Sequence, residues 1–242
     1  MPMDEACLSD PDNRPKTSAE AMTLASGLQG SLSERLATYR QHSERLRPEF
    51  GAAYDRLVAL LAAIDGGKVG PAVGEPMPNF LLPNQQGQLI SLDDLLHAGP
   101  AVISMNRGHW CPYCRLDMRA LAKIEPDIRR LGTQLVSIMP ETAKFTKKST
   151  TDCGFPFPIL SDVDLSYALS LGLVFWIGAE VKKLYAEIDV DLERFQGNRN
   201  YFLPMAAKFI VGRDGIVKAR QVNVDFRLRM EPDAILEALA QL

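Results

Sequence analysis

The chain predicts a mixed α/β protein: a central sheet with helices on both faces, preceded by a helical hairpin. Three features predict it. Short apolar runs at 101–105 and 135–138 flank a stretch of helical period over 111–131, the pattern of parallel strands joined by a crossover helix. A strand, a glycine turn and a second strand follow late in the chain, over 208–219, and add antiparallel pairing. Before all of these, residues 31–64 carry apolar positions at helical spacing.

The elements follow in order. Residues 1–30 are rich in Asp, Pro, Ser and Gly, show no periodicity, and read as a disordered acidic arm. Ser31-Leu32-Ser33-Glu34 forms a capping box that opens a helix to about Leu46. Pro48 restarts the helix, and Phe50, Tyr54, Leu57, Leu61 and Ile64 share one face until Gly66-Gly67 stops it. This extension, over 31–66, is expected to bury its apolar face on the main domain or on a second subunit, which makes it a candidate surface for a homodimer. The main domain runs over 70–242. It begins with a proline-rich loop, a short hairpin turning at Gly87, and a helical turn from Ser91. A helix over part of 141–152, a strand at 157–160 and a helix over 164–171 come next. Residues 175–202 give only a hint of helix near 180–187, and Glu231-Pro232-Asp233 opens a final helix.

Composition narrows the function. The 242 residues are 46% hydrophobic and 24% charged, with four cysteines and three histidines. That is a soluble globular balance, not a disulfide scaffold or a histidine-rich metal site. The net charge of −3 is carried by residues 1–30, which hold five acids and two bases. The remainder balances, which argues against a nucleic-acid partner. No run of 18 apolar residues suggests a membrane span. The opening residues lack a secretory pattern, so the expected address is the cytoplasm, where thiols stay reduced.

The chemistry gathers at Arg107-Gly108-His109-Trp110-Cys111-Pro112-Tyr113-Cys114, between a buried strand and a helix. Proline favours the first helical position, which makes Cys111 the N-cap. The free N–H groups and the dipole of that helix end favour a thiolate there. Cys114 lies one turn in on the same face, within reach of a disulfide. Cys111 is therefore expected to attack and Cys114 to resolve, with Arg107 adding positive charge. Zinc needs more ligands than this pair offers, although His109, Cys153 and Cys7 are the remaining donors to weigh. A merely structural pair of small buried residues is the plain alternative. His109 reads as a local tuner and Trp110 as a pocket wall.

These residues resemble those of a known family. Gly74-Glu75-Pro76-Met77-Pro78-Asn79-Phe80, the segment from Arg107 to Cys114, and Phe157-Pro158-Ile159-Leu160-Ser161-Asp162 are similar to motifs of peroxiredoxin-like proteins of the alkyl hydroperoxide reductase/thiol-specific antioxidant group. The similarity runs over about residues 32–242. It implies a thioredoxin-like fold and a thiol peroxidase that needs no cofactor. Cys111 would attack a hydroperoxide, Cys114 would close a disulfide, and thioredoxin or a similar dithiol would reopen it. The resemblance has two departures. Gly108 stands where the family carries a Thr or Ser that helps bind peroxide. Ala206 stands where thioredoxin-type oxidoreductases carry a cis-proline. Pro-Tyr between the cysteines also resembles glutaredoxins, which keeps disulfide exchange as the alternative activity.

Overall fold

Strand β3 (Ala101–Met105) lies at the centre of the sheet because all of its side chains are apolar or small enough to bury on both faces. It pairs in parallel with β4 (Gln134–Met139), which pairs in parallel with β5 (Ile159–Ser161). On its other side β3 meets β8 (Ala207–Val211) antiparallel, and β8 meets β9 (Val217–Val222) across the turn at 212–215. The order β5-β4-β3-β8-β9 is the expected mixed sheet. The computed structural model describes residues 14–64 and 66–242.

Alternation along the strands builds two cores. Val102, Leu135 and Ile210 face α5 (Pro112–Arg130) and α10 (Pro232–Leu239). Ile103, Val136 and Phe209 face the opposite side, where α3 (Pro48–Ala63), α4 (Leu92–Ala98) and the short hairpin β1 (Leu81–Pro83) and β2 (Leu89–Ser91) pack. Helices α6 (Ala143–Cys153) and α7 (Ser166–Ser170) flank β5 in the chain. The stretch that read poorly, 175–202, is a small closed unit. Strands β6 (Val174–Trp176) and β7 (Phe202–Pro204) pair antiparallel and enclose α8 (Gly178–Glu187) and α9 (Leu192–Gln196). Three-residue strands carry too little periodicity to declare themselves.

The N-terminal segment is more ordered than expected. Within the expected arm, Ser18–Gly27 forms α1, capped by Thr17, whose side chain accepts the Glu20 N–H. Ala21, Met22 and Ala25 bury one stripe of it. Small residues bury little area each, so the stripe was faint in the sequence. Residues 1–13, with Cys7, lie outside the described residues. The capping box is present on α2 (Leu32–Leu46), and Glu231 also accepts the Leu32 and Ser33 N–H groups at 3.0 and 2.7 Å. The α2 face is spent within the chain. Leu32, Leu36 and Tyr39 pack with α1 against Cys111, Tyr113, Cys114 and Leu116. This face is therefore a cover for the thiol pair and is not free for a second subunit.

Candidate active site

Strand β3 delivers the chain to the site, and Asn106 fixes the exit. Its amide donates to Ser104 Oγ and Ser137 Oγ at 3.0 Å each, locking the end of β3 to β4. The backbone then turns through Gly108, at φ +145°, and enters α5 at Cys111, the N-cap, with Pro112 at the first helical position. Arg107, Gly108, Trp110, Cys111 and Cys114 are thus brought together as the sequence predicts. A third thiol, Cys153, packs with the cluster beneath α5 and α10 and away from the pair.

Both thiols are free and buried, Cys111 at 1% exposure and Cys114 at 0%. The two are equally enclosed, although Cys114, one turn into the helix, is expected from the sequence to be the more buried. The site of the thiolate also differs from the one expected. Cys111 Sγ accepts no hydrogen bond from the α5 N-terminus. Cys114 Sγ accepts the Arg107 N–H at 3.4 Å and Arg229 Nη2 at 3.5 Å, and the two thiols hydrogen-bond each other. Burial raises the Cys111 thiol well above its ordinary range, and its hydrogen bond to Cys114 adds to this. Burial also opposes the Cys114 anion, but the Cys111 hydrogen bond and the charges of Arg229 and Arg107 overcome it and hold Cys114 at about 6. Directed donors converge one turn inward of the N-cap, on Cys114.

Arg107 is buried within aromatic rings. Its guanidinium lies 3.7 Å from the Phe226 ring centroid and 5.3 Å from that of Trp110, and it donates to Tyr185 Oη. The Tyr54 and Tyr185 hydroxyls hydrogen-bond each other. Trp110 meets Tyr185 edge to face at 5.2 Å, as the expected wall. Tyr39 and Tyr113 close the α2 side, edge to face at 5.2 Å.

Several groups were not read from the sequence. Glu141, fully buried after β4, accepts the His109 N–H at 3.1 Å and pairs with His109 Nδ1 at 2.6 Å. The His109 ring stacks on Phe145 and meets Phe195 edge to face, so the carboxylate and the two rings together fix its position. Beneath Cys114, Lys208 Nζ donates to Asp117 Oδ1 at 2.5 Å, and Arg229 Nε faces Asp117 Oδ2 at 3.4 Å. A signal existed for these: Lys208 interrupts an apolar strand, and Asp117 sits on the apolar face of α5, three residues after Cys114. Ala206 does lie against the pair, in the same cluster as Cys111 and Cys114. Among the described residues no three His, Cys, Asp or Glu side chains lie close enough to share a metal ion.

Comparisons with known proteins bear on the family and the fold. Residues 73–220 match the model of the AhpC/TSA family. Thiol-disulfide oxidoreductase ResA of Bacillus thuringiensis is 28% identical over 91 residues, 37% of this chain and 51% of that protein. Putative peroxiredoxin bcp of Helicobacter pylori is 28% identical over 92 residues, 38% of this chain and 60% of that protein. The match thus spans about half the length of the ResA relative. Peroxidoxin BcpB of Mycobacterium tuberculosis superposes with a TM-score of 0.55 at 19% identity, covering 71% of this chain and 98% of that one. Peroxiredoxin 6 of Arenicola marina gives 0.57 at 20%, covering 71% and 73%. At those identities the likeness is one of fold, and the fold is the thioredoxin-like one expected.

Proposed function

This chain belongs to the AhpC/TSA family, and on that premise we propose that it is a thiol peroxidase acting on hydrogen peroxide and organic hydroperoxides. Cys111 attacks one peroxide oxygen, the O–O bond breaks, and the departing oxygen takes a proton and leaves as alcohol or water. Cys111 is left as a sulfenic acid. Cys114 attacks that sulfur, the S–O bond breaks, and a disulfide forms. Thioredoxin or a similar external dithiol then reduces it. The observation that carries this reading is a pair of free, mutually hydrogen-bonded thiols at a helix mouth, bordered by two guanidinium groups. Work in the cytoplasm suits thiols that must be kept reduced. Among the described residues no helix is long and apolar enough to cross a membrane. A homodimer belongs to the same proposal, with Leu60 and Ile64 exposed at the outer end of α3 as its contact; a monomer mass in light scattering would count against it.

The test is stopped-flow oxidation of the reduced protein by hydroperoxide. Wild type should lose thiol far faster than a free cysteine, and Cys111→Ser should lose it no faster. Oxidation of wild type at the rate of a free thiol would sink the reading. Cys114→Ser should complete a single turnover and stop at sulfenic acid. Full cycling of that variant with thioredoxin would move the resolving role to Cys153.

One observation favours a second reading, disulfide exchange. A β-carbon at Gly108 would lie 2.4 Å from Trp110 Nε1 and 2.7 Å from Glu141 Oε1, so this site has no room for a peroxide-binding hydroxyl at that position. An exchange enzyme would reduce insulin disulfides catalytically while reacting sluggishly with hydroperoxide.

A further inference from the structure

Two guanidinium groups border the thiol pair, and neither has a carboxylate to itself. Arg107 donates to Tyr185 Oη, faces two rings, and leaves its Nε without a hydrogen-bond partner. Arg229 donates Nη1 to the carbonyls of Phe226 and Leu228, and Nη2 to Cys114 Sγ. Its only carboxylate neighbour among the described residues, Asp117, is already held by Lys208. Asp117 and Lys208 cancel each other as an ion pair. Two permanent cations remain.

Buried cations require a counter-charge. The acidic groups facing them are the two sulfurs, Tyr54 on α3 and Tyr185 on α8, while Tyr39 on α2 and Tyr113 on α5 face Cys111. Burial raises Tyr39 and Tyr185 above the ordinary phenol range and lifts Tyr54 and Tyr113 further. The negative charge therefore falls to sulfur. Between the sulfurs the donors decide, because the Arg107 N–H and Arg229 Nη2 both converge on Cys114 and neither reaches Cys111.

From this geometry we propose that Arg229 is a positioning residue that keeps the resting charge of the pair on Cys114, and that Cys114 acts first as the base for Cys111 and only then closes the disulfide. The substrate step rests on the peroxidase reading; the charge assignment does not. Cys114 takes the Cys111 proton along their hydrogen bond. The Cys111 sulfur attacks a peroxide oxygen and the O–O bond breaks. The departing alkoxide or hydroxide takes that proton back from Cys114 and leaves as alcohol or water. The restored Cys114 thiolate attacks the Cys111 sulfenic sulfur, the S–S bond forms, and hydroxide leaves. Peroxide is reduced by two electrons and the dithiol is oxidised by two.

The test reads ionisation and rate separately. Ultraviolet thiolate absorbance of the reduced full-length protein, titrated against pH, should show a step near about 6. Cys111→Ser should keep a step well below an ordinary thiol, at about 8.5, and Cys114→Ser should lose it. Arg229→Gln should raise the step by about one to three pH units, and Arg229→Lys should recover part of the shift. Should Arg229→Gln not fold, the two cysteine variants still decide. In stopped flow at neutral pH, the first oxidation of Cys111 should be about a hundredfold slower in Cys114→Ser. A low step that follows Cys111 overturns the charge assignment. A Cys114→Ser variant that oxidises at the wild-type rate overturns the base role. Failure of the peroxidase reading is distinct: the ionisation pattern would persist while no form consumed hydroperoxide.

Discussion

A side chain at Gly108 must take a left-handed backbone and push between Trp110 and Glu141. Gly108→Ala should therefore cost about 1–3 kcal/mol of stability, measured by denaturant unfolding, and slow thiol oxidation by displacing the turn into Cys111. An unchanged midpoint and rate would contradict the close approach. Acid should act at Cys114. Its thiolate is present above about 6 and is lost as the pH falls below that value. Peroxide consumption should then drop about tenfold per pH unit on the acid side, and a flat profile down to the carboxylate range would argue otherwise. At this scale the sequence disclosed the thiols, Arg107 and the helix-end geometry, because their spacing is local. It did not disclose Arg229 or Glu141, whose contacts with the site span 115 and 32 residues. Nor did it place the anion, because direction of hydrogen bonds has no trace in spacing.

Helices α1 and α2 matter as a layer over the mouth of α5. Leu36 is 4% exposed in the cluster that holds both thiols. Leu36→Ala should cost about 2–5 kcal/mol and raise the rate at which an aromatic disulfide reagent reaches the pair, with the thiolate step unmoved. Equal reagent rates in both proteins would show that α2 does not limit access. Helix α2 was legible from its capping box, since Ser31 and Glu34 satisfy each other's N–H groups within one turn. Helix α1 was not: its buried stripe is two alanines and a methionine, and its anchors are distant, such as Arg119 Nη1 on Ser26 Oγ at 2.6 Å.

The whole molecule follows from the sheet. Its alternating strands were readable because a buried five-residue apolar run between a turn and a helix admits few alternatives. The closed unit over 174–204 was not, because it is built from three-residue strands that pair across 28 residues. The reduced and disulfide forms should differ in stability with pH. A thiolate whose pKa falls from 9.0 to about 6 on folding stabilises the reduced protein fully above about 9, and that contribution is lost as the pH falls through about 6. The disulfide form has no such ionisation. The melting temperature of the reduced form should therefore gain on that of the oxidised form between those limits, and a gap independent of pH would refute it. The same buried cations bear on redox poise. Whatever stabilises the dithiol form makes its disulfide a stronger electron acceptor. Arg107 and Arg229 thus bias the pair toward surrendering its disulfide, so that even a weakly reducing thiol partner can return the protein to its starting state.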